Sequence, residues 1–179
     1  VAEYLRDQGQ DVLLILDSVP RWWAARRQMG LSGTGLENLL ARSGAWPHGT
    51  ITTILTTDWL PENALSSLTE GHICLSKKVA HSGRYPAIDI SQSVSRRFCE
   101  LADRQHQHSA AFLRSLLICH QENEVLIENG AYKQGFNSRV DLAIARHSEF
   151  RSFLMQNVFE RADFDDTVQR LVRLARSSE

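Results

Sequence analysis

The chain has 179 residues and a mass of 20.3 kDa, enough for one domain or one and a half. Its 42% hydrophobic and 23% charged residues, with a mean hydropathy of -0.29, describe a folded, water-soluble chain and exclude a disordered or collagen-like one. Twenty Lys and Arg against 21 Asp and Glu leave a formal charge of -1, so no global positive field exists to hold a nucleic acid by counterion release.

Residues 1–8 predict the last turns of a helix, with Val1, Tyr4 and Leu5 on one face and Gly9 as a left-handed stop. With neither an initiator Met nor a basic-then-apolar leader profile, the chain is expected to begin inside something longer. Residues 11–16 form an apolar run without polar alternation, expected to be a strand covered on both faces of a parallel sheet, with Asp17 at its carboxyl end. Ser18 reads as the cap of a helix that carries Pro20 in its first turn and stops at Gly30. Residues 36–42 predict a short amphipathic helix and residues 43–49 a loop carrying Trp46 and Pro47. The second strand is expected over residues 49–57, which are β-branched almost throughout. A turn over 58–62, a helix over 63–70, a third strand over 72–76 and a turn of helix after Lys77 follow, and Pro86 then holds Tyr85 in extended backbone.

Up to Asp89 the alternation is βαβ-like, and beyond Ile90 only helices are expected. Four apolar stripes carry that expectation: Phe112 to Leu117, Val140 to His147, Phe150 to Val158 and Phe164 to Ala175. Ser138 and Asp163 are the expected N-caps, and Gly130 and Gly135 punctuate the loops. The division is placed at 95/96, giving an α/β part over 1–95 and a helical part over 96–179. The longest apolar run, residues 12–16, is far short of the roughly 18–20 residues that cross a bilayer, so no membrane span is expected. Cys74, Cys99 and Cys119, widely spaced and without a CxxC, read as reduced core thiols of a cytosolic protein.

An acid at the carboxyl end of a buried strand is what a nucleotide site uses to hold magnesium beside phosphates, which makes Asp17 a candidate; capping the next helix is the alternative role. Tyr85 and Arg96 flank a more specific constellation, Pro86-Ala87-Ile88-Asp89-Ile90 followed by Ser93-Val94-Ser95. The structural alternatives are an aromatic at a bend for Tyr85 and an ion pair with Asp89 or Glu100 for Arg96. The histidines and cysteines, among them Cys99, His106, His108, Cys119 and His120, lack structural zinc spacing, and no nucleophile elbow is present. Trp22, Trp23 and Trp46 are expected in a core or a subunit interface. No GxxxxGK[ST] occurs, and the Gly-rich stretch from Gly30 to Gly35 has no Lys, so these residues alone build no phosphate cradle.

Residues 11–18, 49–57, 71–78 and 85–96 together resemble the carboxyl-terminal half of type III secretion system ATPases, a family similar to the flagellar export ATPase and to the α and β subunits of rotary ATP synthases. The likeness extends to Ile127-Glu128-Asn129-Gly130-Ala131-Tyr132, Gly135, residues 141–144 and Phe153-Leu154. It implies an α/β fold, the carboxyl part of a RecA-like nucleotide-binding domain with parallel strands, followed by an α-helical subdomain. Asp17 falls at the family's magnesium-site aspartate, Tyr85 at the aromatic that packs on adenine, and Arg96 at the arginine finger that reaches a neighbour's phosphates; Arg97 leaves a one-residue ambiguity. The resemblance further implies ATP and Mg2+ in the intact enzyme and a hexameric ring at the cytoplasmic face of the export apparatus. Secretion chaperones, effectors, and stalk and stator proteins are the implied partners. The family's catalytic glutamate is absent, so the chain alone is expected to be inactive, and a degenerate scaffold is the alternative. Departures from the family pattern are the shortened stretch between Gly30 and Gly49, the short loop 58–63 and Pro20 in place of Thr.

Overall fold

A computed structural model describes residues 1–31, 35–58 and 68–176. It divides into two compact units, residues 1–70 and residues 71–179.

In the first unit, α1 (Ala2–Asp7) ends at Gly9, whose φ of +83° is the left-handed conformation a glycine adopts without strain. The chain then enters β1 (Asp11–Leu16), α2 (Val19–Gln28), α3 (Gly35–Leu40), β2 (Gly44–Trp46) and β3 (Gly49–Leu55). The sheet order is β1-β3-β2, with β1 parallel to β3 and β2 antiparallel to it. A Cβ on Gly49 would lie 2.5 Å from the Gln10 carbonyl oxygen and 2.7 Å from that of Arg6, so glycine is what lets β3 start directly against the α1–β1 connection. Val19 and Leu36 form the core of this unit, packed by Leu16, Trp22, Trp23, Leu40 and Leu55.

Two expectations change here. β1 is not covered on both faces: Leu16 joins the helix-facing core, while Leu13 and Ile15 are 57% and 59% exposed. Helices α2 and α3 bring Val19 and Leu36 to the core beside Leu16, and α1 also packs against β1 and β3. Residues 44–46, expected in a loop, pair with β3 as β2. Gly44 itself and the following Pro47 give a loop signal, and the pairing comes from β3. Residues 59–67, where most of the expected turn and helix fall, and residues 32–34 of the Gly-rich stretch lie outside the described residues.

The second unit opens with β4 (Gly71–Leu75), α4 (Lys77–His81) and β5 (Ile88–Ser95). β5 corrects the expectation of helices alone beyond Ile90, and it runs antiparallel to β4, so among the described strands the parallel pairing is that of β1 with β3. The register is irregular between His72 and Cys74, where the Ser93 hydroxyl accepts the Cys74 N–H at 3.0 Å. Helices α5 (Phe98–Leu101), α6 (Arg104–Glu128), α7 (Ser138–Leu154) and α8 (Phe164–Arg176) follow. Their core is Leu113, Leu116 and Cys119 from α6, Val140, Ala143 and Phe150 from α7, and Leu171 from α8.

The two middle stripes belong to one helix, because no breaker separates His147 from Phe150; Val158, assigned to a stripe, is exposed beyond it. Asn137 caps α7 in place of Ser138, its Oδ1 accepting the N–H of Arg139 at 2.9 Å and of Val140 at 3.4 Å. Asp163 does accept the N–H groups of Asp165 and Asp166 at the start of α8. Of the three cysteines only Cys119 is buried; Cys99 is exposed and Cys74 half-buried. Packing in this unit takes in β4 and β5 as well as the helices. The Arg114 guanidinium of α6 donates to the carbonyls of Ile90, at 2.5 Å, and Ser93.

Candidate nucleotide-facing sites

Asp17 follows the last residue of β1 and is exposed, at the carboxyl end of the parallel pair where open α/β sheets bind ligands. Its position is set by backbone on both sides: Thr56 N–H donates to the Leu16 carbonyl at 3.0 Å, and Val19 N–H donates to the Thr56 carbonyl at 2.9 Å. The Thr56 hydroxyl donates to Asp17 Oδ1 at 2.5 Å. A carboxylate and a hydroxyl side by side are a hard oxygen set, the chemistry that suits magnesium with its waters and phosphates, so the residues present fit that ion. The Ser18 side chain makes no capping bond to α2, and Asp17 meets Thr56. Thr56 was not singled out in the sequence, where it lies inside the expected strand 49–57; the observed strand stops one residue before it.

Tyr85 stands at the entrance to β5, with its side chain 58% exposed, and its carbonyl accepts the Gln156 N–H at 3.0 Å. Beside it Arg84 is half-buried and donates to the Ile88 carbonyl at 3.0 Å; burial, above all, lowers its pKa, and the Asp89 carboxylate opposes that shift.

Arg96 follows the last residue of β5 and is exposed. Glu100, one of its suggested partners, pairs with Arg97, whose Nε and Nη2 lie 3.1 and 2.5 Å from Oε2. The Asp89 carboxylate takes the Ser91 N–H and hydroxyl and the Gln92 N–H. Tyr85 precedes β5 and Arg96 follows it, and the strand between them is bulged, its ends facing Leu75 and Gly71 of β4. Asp17 belongs to the other compact unit.

Residues 102–173 match the family model described as the type III secretion system EscN ATPase C-terminal domain, and residues 33–95 match the nucleotide-binding domain of the ATP synthase alpha/beta family. The chain is 36% identical to the flagellum-specific ATP synthase of Treponema pallidum over 97% of its own length and 44% of that protein. It is 34% identical to the type 3 secretion system ATPase of Pseudomonas syringae pv. syringae over 97% of itself and 43% of that protein. The structure of assembled EscN with its central stalk EscO, from enteropathogenic E. coli, superposes with a TM-score of 0.88 at 33% identity, covering 97% of this chain and 46% of EscN. Over nearly all of its length this chain is similar in sequence and fold to type III secretion and flagellum-specific ATPases. It spans less than half the length of these curated relatives. The segments that carried the family resemblance near the bundle form a local knot: the Tyr132 hydroxyl lies 2.9 Å from Asp141 Oδ1, and Gly135 N–H donates to Asp141 Oδ2 at 2.9 Å.

Proposed function

We propose that the chain supplies one side of the nucleotide sites of an ATP-hydrolysing protein-export motor, with residues 1–95 completing the nucleotide-binding domain and residues 96–179 forming the helical subdomain. Asp17, assisted by Thr56, holds the magnesium that neutralises phosphate charge. Tyr85 lays its exposed ring against the adenine. Arg96 reaches over a protomer boundary to the phosphates of a neighbour's nucleotide, so that turnover depends on ring assembly. The observation that carries this reading is β5, which is preceded by the exposed aromatic Tyr85 and followed by the exposed Arg96.

In this reading the assembly is a hexameric ring at the cytoplasmic face of the secretion apparatus, and its work is release of chaperones and export of their effectors. The partner-facing surface is the groove of about 520 Å3 between α7 and α8, with Phe153 and Leu174 as apolar lining and Glu149, Arg170 and Arg173 as charges. A central stalk is the partner that EscO provides for EscN, and stator proteins are the remaining expected contact. The alternative is a scaffold without turnover, favoured by the shortened stretch between Gly30 and Gly49.

The test is Arg96→Ala in the assembled ATPase that carries this chain. We expect kcat to fall about a thousandfold or more, the scale of an arginine finger, with nucleotide affinity changed by less than about threefold. Unaltered hydrolysis would retire the finger, and an assembled wild-type protein that binds nucleotide without turnover would establish the scaffold.

A further inference from the structure

Tyr85 is 58% exposed, so the direction of its ring is set by its backbone more than by surrounding side chains. That backbone is held from α7. Arg151, in the last turn of α7, donates from Nη2 to the Ser82 carbonyl at 2.6 Å. Just past the end of the same helix, the Gln156 N–H donates to the Tyr85 carbonyl at 3.0 Å. Only Gly83 and Arg84 separate the two anchored carbonyls.

Gly83 has φ of +72°, and a Cβ there would sit 3.8 Å from Arg151 Nη2, so the guanidinium lies directly over the glycine. A left-handed glycine is the least constrained link in a chain, and a charge-assisted hydrogen bond to the preceding carbonyl is what restricts it here. Arg84 is occupied with the Ile88 carbonyl on the other side of Tyr85, and its like charge beside Arg151 keeps the two guanidiniums on separate acceptors. Upstream, the Lys78–Glu124 ion pair ties α4 to α6.

We propose that Arg151 is a positioning residue for the nucleotide base: by fixing the Ser82–Gly83 peptide it sets the direction in which the Tyr85 ring meets the adenine. The proposal rests on the reading of Tyr85 as the base contact. It also gives α7 two duties, since Glu149 and Phe153 of the same helix line the groove toward α8. A load applied to that groove is one side chain away from the base-contacting segment.

The test compares Arg151→Ala, Arg151→Lys and Tyr85→Ala in the assembled ATPase, reading KM for ATP, kcat, and inhibition by inorganic tripolyphosphate, which has no base. Arg151→Ala should raise KM for ATP about tenfold, the scale of one misaligned base stack, and leave kcat within about twofold. Tripolyphosphate inhibition should not move, which a general loosening of the fold would not produce. Arg151→Lys keeps a cationic N–H donor and should return KM to within about threefold of the parent. If Arg151→Ala does not fold, Gly83→Ala disturbs the same peptide from the other side and should give the same base-selective rise. An unchanged KM, or equal losses for ATP and tripolyphosphate, overturns the proposal. A Tyr85→Ala protein with the parent's KM removes the Tyr85 reading and this inference together, whereas a raised KM in Tyr85→Ala alone removes only the role of Arg151.

Discussion

His120 of α6 and His147 of α7 stack with ring centroids 3.8 Å apart and planes 7° from parallel. Burial, above all, pushes both pKa values down; His120, Arg151 and Arg84 press His147 further down, while Glu124 opposes the shift on both rings and Glu128 on His120. The folded state therefore prefers neutral rings, and the unfolded chain, with imidazoles near the ordinary value of about 6.5, takes up protons first. Their contribution to stability is full above about pH 6.5 and is lost as the pH falls below it toward the lowered folded values. Thermal melts of the chain from pH 7.5 to 5 should show a falling midpoint, with a smaller fall in His147→Gln; equal slopes in the two proteins would contradict the pairing. Not every residue was equally legible in the sequence. Asp17 was placed on its apolar run alone, because an acid that closes such a strand must sit at the strand's end. Arg151 was invisible, because its acceptor is 69 positions away and an arginine in a helix's last turn has no pattern of its own.

Among the elements, local signals and tertiary ones part company at the ends. Ser138 and Asn137 are equally good caps by composition, and only the bonds from Asn137 Oδ1 to the N–H groups of Arg139 and Val140 decide between them. Asn137→Ala should lower the stability of the chain by about 1 kcal/mol, and Ser138→Ala by only a few tenths, in denaturant titration. A larger loss in Ser138→Ala would move the cap back by one. β5 was readable: Ile88, Ile90 and Val94 alternate with Asp89, Ser91, Ser93 and Ser95, a period of two that the helical texture beyond it masked. β2 was not, because three residues that begin with Gly44 and stop before Pro47 form a strand only where β3 offers an edge. The α7 core shows the complementary case, where Val140, Ala143 and Phe150 keep a helical spacing that the sequence displays directly.

At the scale of the molecule, the candidate residues are divided between the two units. The first holds Asp17 on a sheet that leaves Leu13, Ile15 and Ile54 exposed, and the second holds Tyr85 before β5 and Arg96 after it. Neither contains the glycine-and-lysine loop that cradles phosphates; in the proposed motor Arg96 meets that cradle across a boundary between protomers. That dependence is tested by mixing two assembled but inactive variants of the complete ATPase, one with Arg96→Ala and one with the phosphate-cradle lysine replaced. The account predicts that the mixture regains ATP turnover, because an intact guanidinium from one protomer then faces an intact cradle in the next. Turnover by Arg96→Ala alone, or mixed rings that assemble and stay inactive, would contradict it.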